Sequence, residues 1–264
     1  MSRPILSAVP ETSRFDLTGR VAIVTGGSRG IGSAIAEILA EHGAQVVLSS
    51  RKQADLDAEA ARINALHPDR ATAVAAHAGR PEDLERLVAQ VMERHGRIDI
   101  LINNAGTNPY AGALIDAEVS AWDKTFEVNV RGYLLLTQLV YRAWMEQHGG
   151  TVVNMASTGG IRPGLGLGVY RVSKAAVVFM TRQLAREIGG NVRVNAVAPG
   201  LIKTRFAEAL WGNEEVLERI LAPNPTKRIG VVEEVANAVL FLVSDAASYV
   251  NGEVMIVDGG GGEV

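Results

Sequence analysis

The sequence contains no cysteine, which excludes disulfides, thiolate catalysis and cysteine metal sites. It also has no basic excess, because 26 lysines and arginines are set against 29 acidic residues, for a formal net charge of -3. We therefore expect neither a nucleic-acid partner nor binding to a membrane surface. No apolar run approaches the ~20 residues of a membrane-spanning helix. These absences favour a cytoplasmic protein.

Metal ligands are scarce as well. No two of the five histidines have the spacing of metal ligands, and there is no cysteine to complete a set. The sequence therefore predicts no metal site and argues against a metal-dependent hydrolase. The histidines are His42, His67, His77, His95 and His148.

What the chain does have is a regular alternation of strand-like and helix-like segments over 264 residues, 47% of them hydrophobic. Such βα units indicate an α/β, doubly wound Rossmann fold: a seven-stranded parallel sheet with helices on both faces. The predicted strands are Val21–Thr25, Gln45–Ser49, Ala71–Ala76, Ile98–Asn103, Thr151–Met155, Arg193–Ala198 and Glu253–Val257. The predicted helices are Gly30–His42, Ala54–Leu66, Pro81–His95, Val119–His148, Val169–Ile188 and Val231–Ser244.

The alternation has no linker or repeat, so we predict one domain over residues 1–264, of which residues 1–16 form an irregular arm. The connection after the sixth strand is long. We expect it to form a flap at about 204–228 that is mobile without ligand. Phe206, Leu210 and Trp211 would give the flap its apolar face, although Trp211 could equally belong to the core.

A glycine turn joins the first strand to the first helix. Gly26, Gly30 and Gly32 follow the apolar run Val21–Val24 in the spacing G-x-x-x-G-x-G. Glycines allow a tight turn, and the helix N-terminus that follows offers free N–H groups and a favourable dipole to a pyrophosphate. The order strand, glycine turn and helix predicts a dinucleotide site.

The end of the second strand bears on which dinucleotide binds. NAD sites usually place a carboxylate about 20 residues past the glycines, on the ribose hydroxyls. Here Ser50 and Arg51 occupy that place, and Arg29 stands in the glycine turn. These side chains suit a 2′-phosphate, so the sequence predicts NADP(H) as cofactor.

Three further groups of polar residues follow strands or begin a helix. Tyr170 and Lys174 share a helix face, and an ammonium there would lower the phenol pKa from its usual value of about 10. Ser157 follows a buried strand, thirteen residues before Tyr170. Asn103 and Asn104 end another strand and could brace the cofactor loop. Each alone could be a surface pair or a turn residue.

Together these motifs resemble the classical short-chain dehydrogenase/reductase family from about Leu17 to Gly260. The resemblance implies that Tyr170 is the general acid/base, and that Lys174 lowers its pKa and holds the nicotinamide ribose. It also implies that Ser157 bonds the substrate oxygen and that Asn129 supports a proton-relay water. The matching stretches are Thr25–Gly32, Asn103–Gly106, Asn129, Ser157, Tyr170–Lys174 and Pro199–Thr204.

The same resemblance implies a set of cofactor contacts. The glycine turn would line the phosphates, Asn104 and Gly106 would lie by the adenosine, and Ile202 and Thr204 would hold the carboxamide. One departure is His77-Ala78, where the family often has Asp-Val next to the adenine. The cofactor residues so implied are Gly26, Ser28, Arg29, Gly30, Ile31, Gly32, Ser50, Arg51, His77, Ala78, Asn104, Ala105, Gly106, Tyr170, Lys174, Pro199, Gly200, Ile202 and Thr204.

A finer resemblance is to NADP-dependent carbonyl and retinal reductases of the peroxisomal kind. The printed sequence ends in Gly-Glu-Val rather than a Ser-Lys-Leu-like signal, so location is not carried over. The stretches that carry this resemblance are Ser49–Gln53, His77, Asn108–Tyr110, Trp122–Thr125 and Gly200–Phe206.

The resulting hypothesis is an NADP(H)-dependent oxidoreductase that reduces ketone and aldehyde carbonyls. A close alternative is a 3-oxoacyl thioester reductase, whose acyl carrier needs a basic surface near the site. Four basic residues could provide that surface or could simply be solvated: Arg162, Arg171, Lys203 and Arg205. A non-catalytic NADPH-binding scaffold is the alternative of another class, but all four catalytic residues are present.

Substrate and assembly complete the expectations. Walls at Asn108–Tyr110, at 159–168 and on the flap should bind small hydrophobic carbonyl or alcohol molecules by apolar contact and discriminate weakly between them. We therefore expect broad activity on the bulkier ketones and diketones and poor rates on small polar ones. The two long helices carry apolar residues on more than one face, which favours a homotetramer with twofold interfaces. The residues on which this rests are Leu134, Leu135, Leu139, Val177, Val178 and Phe179.

Overall fold

Seven parallel strands form one sheet in the order β3-β2-β1-β4-β5-β6-β7. The computed structural model describes residues 14–261, apart from the side chains of residues 209, 210 and 216. The strands are β1 Val21–Thr25, β2 Gln45–Ser50, β3 Ala71–Ala75, β4 Ile100–Asn103, β5 Gly150–Met155, β6 Val192–Pro199 and β7 Val254–Val257.

Helices cover both faces of the sheet. Of the longer helices, α1, α2 and α8 share one buried apolar cluster with it, while α3, α4 and α5 pack on the opposite face. The helices are α1 Gly30–Glu41, α2 Gln53–Leu66, α3 Pro81–His95, α4 over 119–148, α5 Gly168–Glu187, α6 Glu208–Trp211, α7 Glu214–Leu221 and α8 Val232–Val243. The prediction of a doubly wound α/β fold with a seven-stranded parallel sheet is confirmed.

The two apolar clusters explain why the central strands are apolar at every position. Ile100 and Ile102 of β4 belong to the cluster on one face, and Leu101 between them belongs to the other. All three side chains have no exposed surface. Successive strand residues point to opposite faces, and burying each such side chain contributes about 1.5–3 kcal/mol.

The free edge of the sheet at β3 is covered by two amide side chains of α2. Asn64 accepts from Ala71 N and donates to Ala71 O, both at 2.8 Å. Gln53 accepts from Ala75 N at 2.9 Å and donates to Ala73 O at 3.4 Å. These amides bond the outward backbone groups that an additional strand would otherwise pair with.

Most predicted boundaries agree with the structure to within two residues. The predicted strand Ile98–Asn103 starts only at Ile100. Helix α4 is continuous, as expected, but it is not regular, because it contains π-helical turns at Glu127–Arg131 and Tyr141–Met145. The predicted arm at 1–16 lies outside the described residues except for its last three positions.

The helix faces assigned to subunit contacts need correction. Val177 and Val178 are buried within the chain, so they are not free to meet a partner. Phe179 beside them is 69% exposed. The leucines of α4 named for the same role, Leu134, Leu135 and Leu139, are half-buried against the core. Separately, none of the helices within residues 14–261 has the length and hydrophobicity needed to span a membrane.

Candidate active site

The carboxyl ends of the central strands meet at one edge of the sheet, where α/β folds of this kind bind ligands. Thr25 at the end of β1 holds this edge together. Its hydroxyl donates to Ile102 O at 3.1 Å and accepts from Asn104 N and Ala105 N at 2.9 and 3.0 Å. The end of β4 and the residues after it are thereby fixed to the start of the glycine turn.

Asn104 extends this bracing to the glycine turn itself. Its amide donates to Thr25 O at 2.9 Å and Gly26 O at 3.4 Å. A Cβ on Gly26 would lie 2.8 Å from that amide nitrogen, and a Cβ on Gly32 would lie 2.6 Å from it. Gly26 and Gly30 also have positive φ angles of 66° and 60°. The close approach and the backbone conformation both require glycine here.

The N-terminus of α1 is open to an anion. Its N-cap residue Arg29 makes no side-chain cap, and the first turn contains no acidic residue. The first N–H groups of a helix have no partner within the helix, so those of Gly30, Ile31 and Gly32 remain available. Ser28, just before them, is half-buried. This arrangement fits the diphosphate of a dinucleotide.

The predicted 2′-phosphate residues stand next to this turn. Ser50 is half-buried at the end of β2, whereas Arg51 and Arg29 are exposed. Neither arginine forms an ion pair with any of residues 14–261, unlike Arg62, which binds Glu37 and Glu59. Both guanidinium groups are therefore available to a ligand.

Tyr170 and Lys174 lie on one face of the first turns of α5, as their spacing predicts. Lys174 is only 3% exposed, and its Nζ donates to Met155 O at the end of β5, at 2.6 Å. The same nitrogen lies 5.7 Å from the centroid of the Tyr170 ring. Lys174, Tyr170 and the end of β5 thus form one cluster.

The direction of the Tyr170 pKa differs from the expectation. Burial raises the pKa of Tyr170 to about 12, and a hydrogen bond with Ser157 and the charge of Arg171 lower it only in part. Burial also lowers the pKa of Lys174 to about 7. Desolvation of Tyr170 outweighs the two lowering contributions, and Lys174 is not one of them, so the lowering of the phenol pKa by Lys174 stays a prediction.

Ser157 joins the same cluster from the loop after β5. Its hydroxyl accepts from Gly159 N at 3.1 Å, which fixes the start of the loop. The Ser157 side chain also lies close enough to Tyr170 to lower the pKa of the phenol. The sequence predicts Ser157 to be either a substrate ligand or a turn residue. The structure shows the turn contact, and the substrate contact stays a prediction.

Asn129 is fully buried in the first π-helical turn of α4. Its side chain accepts from Thr107 N at 2.8 Å and donates to Thr107 O at 2.9 Å and Ser173 Oγ at 3.1 Å. Ser173 in turn donates to the Tyr170 carbonyl at 2.7 Å. The Asn129 amide therefore connects α4 to the loop after β4 and to the helix that carries Tyr170.

Gly106, two residues after Asn104, leaves room between these elements. A Cβ on Gly106 would lie 3.7 Å from Asn129 Oδ1 and 4.0 Å from Lys174 Nζ. Gly106 thus lies between the Asn104 backbone, the Asn129 side chain and Lys174. Asn103, in contrast, points into the core, where its amide donates to Asn154 Oδ1 at 2.9 Å and Thr137 Oγ1 at 3.1 Å.

His77 and Ala78 follow β3, as expected, but the imidazole is engaged within the protein. Its Nδ1 accepts from Gly79 N at 3.0 Å, and its Nε2 lies 3.4 Å from Lys124 Nζ. Burial lowers the pKa of His77, and the charge of Lys124 lowers it further. The backbone of Ala78 packs against Gly132, where a Cβ would collide with the Ala78 oxygen. The His77 ring is thus a loop-ordering group in this structure.

The segment after β6 reaches over the cluster. Thr204 lies beside the glycine turn, since a Cβ on Gly30 would be 3.6 Å from Thr204 Cγ2. Phe206 is 59% exposed, and its ring centroid is 5.9 Å from that of Tyr170. Trp211 donates from Nε1 to Thr204 O at 2.9 Å, so it holds the segment in shape. The Leu210 side chain lies outside the described part of the chain.

Ile202 and Gly200, also expected near the nicotinamide, fix the start of the segment after β6. Ile202 is buried and pairs with Gly230 in an isolated bridge. Gly200 follows Pro199, the last residue of β6, and a Cβ on it would lie 2.7 Å from Asp258 Cβ. These contacts fix the position of Thr204.

Two site residues escaped the sequence analysis. Thr25 was visible only as the residue before the first glycine, with nothing to mark its hydroxyl as a brace. Tyr133 is 1% exposed, and its ring centroid lies 5.2 Å from Lys174 Nζ. Its one signal is a position four residues after Asn129, on the same helix face.

Over residues 14–261, no three His, Asp or Glu residues are grouped as metal ligands would be.

Comparison with known proteins agrees with this fold. Residues 26–261 match the family described as enoyl-(acyl carrier protein) reductase. Dehydrogenase/reductase SDR family member 4 of Oryctolagus cuniculus is 45% identical over 250 residues, which cover 94% of this chain and 96% of the rabbit protein.

Solved structures give the same result. Levodione reductase is 37% identical with a TM-score of 0.88, over 92% of this chain and 97% of that one. A gluconate 5-dehydrogenase from Burkholderia cenocepacia, solved with NADP and tartrate, is 30% identical with a TM-score of 0.90, over 94% and 97%. The chain therefore belongs to the classical short-chain dehydrogenase/reductase family, whose members are oxidoreductases that use a nicotinamide cofactor.

Proposed function

We propose that this protein is an NADP(H)-dependent reductase of ketone and aldehyde carbonyls that also runs the reverse alcohol oxidation. The observation that carries the proposal is the cluster of Ser157, Tyr170 and Lys174 at the same edge of the sheet as the uncapped N-terminus of α1. A proton donor thus shares this edge with a site that fits a dinucleotide. When bound, the reduced nicotinamide would supply the hydride to the carbonyl carbon.

The chain's own residues would handle the proton and the developing charge. Ser157 and Tyr170 would both donate hydrogen bonds to the substrate oxygen, and Tyr170 would transfer its proton to that oxygen as the alkoxide forms. With a pKa of about 12, Tyr170 keeps its proton at neutral pH, which is the form that reduction needs. Lys174 would hold the nicotinamide ribose, and Asn129 would support the water that restores the proton.

The preference for NADP(H) rests on Arg29, Ser50 and Arg51. Both arginines are exposed and make no ion pair within residues 14–261, and no carboxylate stands at the end of β2. A 2′-phosphate would gain charge-assisted hydrogen bonds there. The similarity to a dehydrogenase solved with NADP supports this preference.

An apolar substrate fits the surroundings of Tyr170. Phe206 from the flap approaches the Tyr170 ring, and Ile161 and Leu165 on the loop after Ser157 are 39% and 98% exposed. Exposed apolar side chains near a catalytic group bind hydrophobic substrates without strict selection. We therefore propose bulky hydrophobic ketones and diketones as substrates, with poor rates on small polar ones, and a flap that closes over them on binding.

The 3-oxoacyl thioester alternative has less support from side-chain positions. Arg171 donates to Arg162 O at 3.1 Å, so it orders the loop after β5. Lys203 lies over the Trp211 ring at 5.9 Å. Two of the four basic residues expected to meet an acyl carrier are therefore engaged within the chain.

We also propose that the protein is a homotetramer. Phe179 on α5 and Trp122 and Val119 on α4 are exposed apolar side chains that a partner could cover. Light scattering at micromolar concentration should give about four times the chain mass of 28.0 kDa. A monomer would contradict this part of the proposal.

The test of the activity is NADPH oxidation against ketones, aldehydes, diketones and acyl thioesters, with Tyr170→Phe as the matched variant. Removing the phenol proton should lower kcat by about 10²–10⁴-fold, the usual worth of general acid catalysis, while NADPH still binds. Tyr249→Phe serves as control, since Tyr249 is a fully exposed tyrosine outside the proposed substrate and cofactor sites. Cofactor binding without any turnover would favour a scaffold, and full activity of Tyr170→Phe would refute the mechanism.

A further inference from the structure

Lys174 is a buried cation with few partners. Its Nζ makes one hydrogen bond, to Met155 O at 2.6 Å, although an ammonium has three donors. Burial is the only cause of its lowered pKa, and no carboxylate of residues 14–261 acts on it. A charged group in such a place needs another source of stabilisation to remain protonated.

Two aromatic rings surround this ammonium. The Tyr133 centroid lies 5.2 Å from Nζ, and the Tyr170 centroid lies 5.7 Å from it. Both distances fall within the ~6 Å over which a cation is attracted to a ring face. Tyr133 comes from α4 and Tyr170 from α5, and they are the titratable groups in contact with Lys174.

Tyr133 differs from Tyr170 in that nothing in the proposed mechanism uses it. It is 1% exposed and packs among Ala156, Val177 and Ala196 in a small apolar cluster under the active site. Its hydroxyl makes no hydrogen bond to any group within residues 14–261. The ring, rather than the hydroxyl, is therefore the part of Tyr133 that interacts with the site.

We propose that Tyr133 is a positioning residue whose ring face is the second electrostatic partner of the Lys174 ammonium, beside the Met155 carbonyl. The inference rests on the proposed function, because it assigns a purpose to a charged Lys174. Tyr133 does not touch the reacting atoms. It holds Lys174 charged and in place, with the apolar cluster fixing the ring.

If the proposal holds, replacing Tyr133 should shift the pKa of Lys174 in the opposite direction to a simple packing defect. Losing the ring attraction would lower the pKa of Lys174, by about one to one and a half pH units for a desolvated pair. A substitution that merely let water into the core would ease the desolvation and raise that pKa. The sign of the shift therefore separates the two effects.

The chain allows Lys174 to be observed directly. It contains five lysines, and the other four are exposed. NMR titration of protein labelled with ¹³C and ¹⁵N in lysine would give one set of side-chain signals per residue, with Lys174 identified by its loss in Lys174→Arg. Wild type, Tyr133→Phe, Tyr133→Leu and Leu136→Ala are compared. Leu136 is buried on the same helix but packs in the apolar cluster beneath α3, not in that of Tyr133. It is therefore the control for loss of core volume.

We expect Tyr133→Phe to leave the Lys174 pKa unchanged, Tyr133→Leu to lower it, and Leu136→Ala to leave it unchanged despite a lower Tm. An unchanged or raised pKa in Tyr133→Leu would overturn the proposal, as would an equal drop in Tyr133→Phe. If Tyr133→Leu does not fold, position 133 can carry phenylalanine with one to three ring fluorines. These keep the shape of the ring but weaken the attraction of its face for a cation. The pKa should then fall with each added fluorine.

This readout needs no turnover. If the wild type reduces no carbonyl with NADPH but Lys174 titrates as expected, the proposed function fails while the pairing with Tyr133 stands. If reduction is observed and Lys174 does not respond to the ring, the pairing fails while the proposed function stands.

Discussion

Cofactor choice can be tested by reversing the charge at the end of β2. Replacing Ser50 with Asp and Arg51 with Ile removes a hydroxyl and a cation and introduces the acid that NAD sites carry. Neither change touches the buried core, since Arg51 is exposed and Ser50 is half-buried. Arg51 also has no ion pair within residues 14–261 that the change would break. Its loss should therefore act on the ligand rather than on stability.

The expected magnitude follows from the number of donors and their exposure. A hydrogen bond to a charged group contributes about 1.5–3 kcal/mol, or roughly ten- to a hundredfold in binding. Because Arg29 and Arg51 are both exposed, screening by solvent and salt places each near the lower limit. We expect Arg51→Ile to weaken NADPH about tenfold and leave NADH unchanged. The double variant should favour NADH, because the new carboxylate repels the phosphate.

The assay is kcat/KM for NADPH and NADH in the native protein, both variants and the control Arg94→Ile. Arg94 is an exposed arginine on α3, and its loss should change neither value. Raising the salt concentration should weaken NADPH more than NADH. Equal kcat/KM for the two cofactors in the native protein would refute the reasoning.

Two further predictions concern the pH profile and the sheet edge. The value of kcat/KM for NADPH reports the free enzyme, so it should fall as the pH rises through about 7 and Lys174 loses its charge, while Tyr170 remains protonated. Lys174→Arg should shift this fall to higher pH, and a flat profile from pH 6 to 9 would contradict the assignment. At the edge, Asn64→Ala leaves two backbone groups of Ala71 without their amide partners, which should lower the free energy of unfolding by about 1–3 kcal/mol in urea titrations. Arg94→Ile serves as the surface control here also, and an unchanged midpoint would mean that water replaces the amide.

The fold could be predicted because it depends on local patterns. The run Val21–Thr25 is apolar and β-branched, and all of it is buried in β1. Pro81 at the first helical turn and Gly96 with a positive φ mark the two ends of α3, and its predicted boundaries are those of the structure. Right-handed βα units limit the strand orders open to such a sheet, but the order itself comes from the structure.

The electrostatics of the site could not be predicted in the same way. The spacing of Tyr170 and Lys174 places them on one helix face, but desolvation depends on elements far away in sequence. Met155 from β5 and Tyr133 from α4 complete the surroundings of Lys174. The phenol pKa therefore rises where the spacing alone predicts a fall.

The π-helical turn around Asn129 shows why structure and chemistry are coupled in this site. One wide turn of α4 places the Asn129 amide against Thr107 and Ser173, and one turn later the same helix places Tyr133 against Lys174. Removing the Asn129 amide would leave the two backbone groups of Thr107 without a partner, in addition to any effect on proton transfer. A loss of activity in Asn129→Ala thus combines a structural and a chemical part. The loss of activity is assigned to the proton relay only if parallel measurements show that the stability and the Lys174 titration of Asn129→Ala are unchanged.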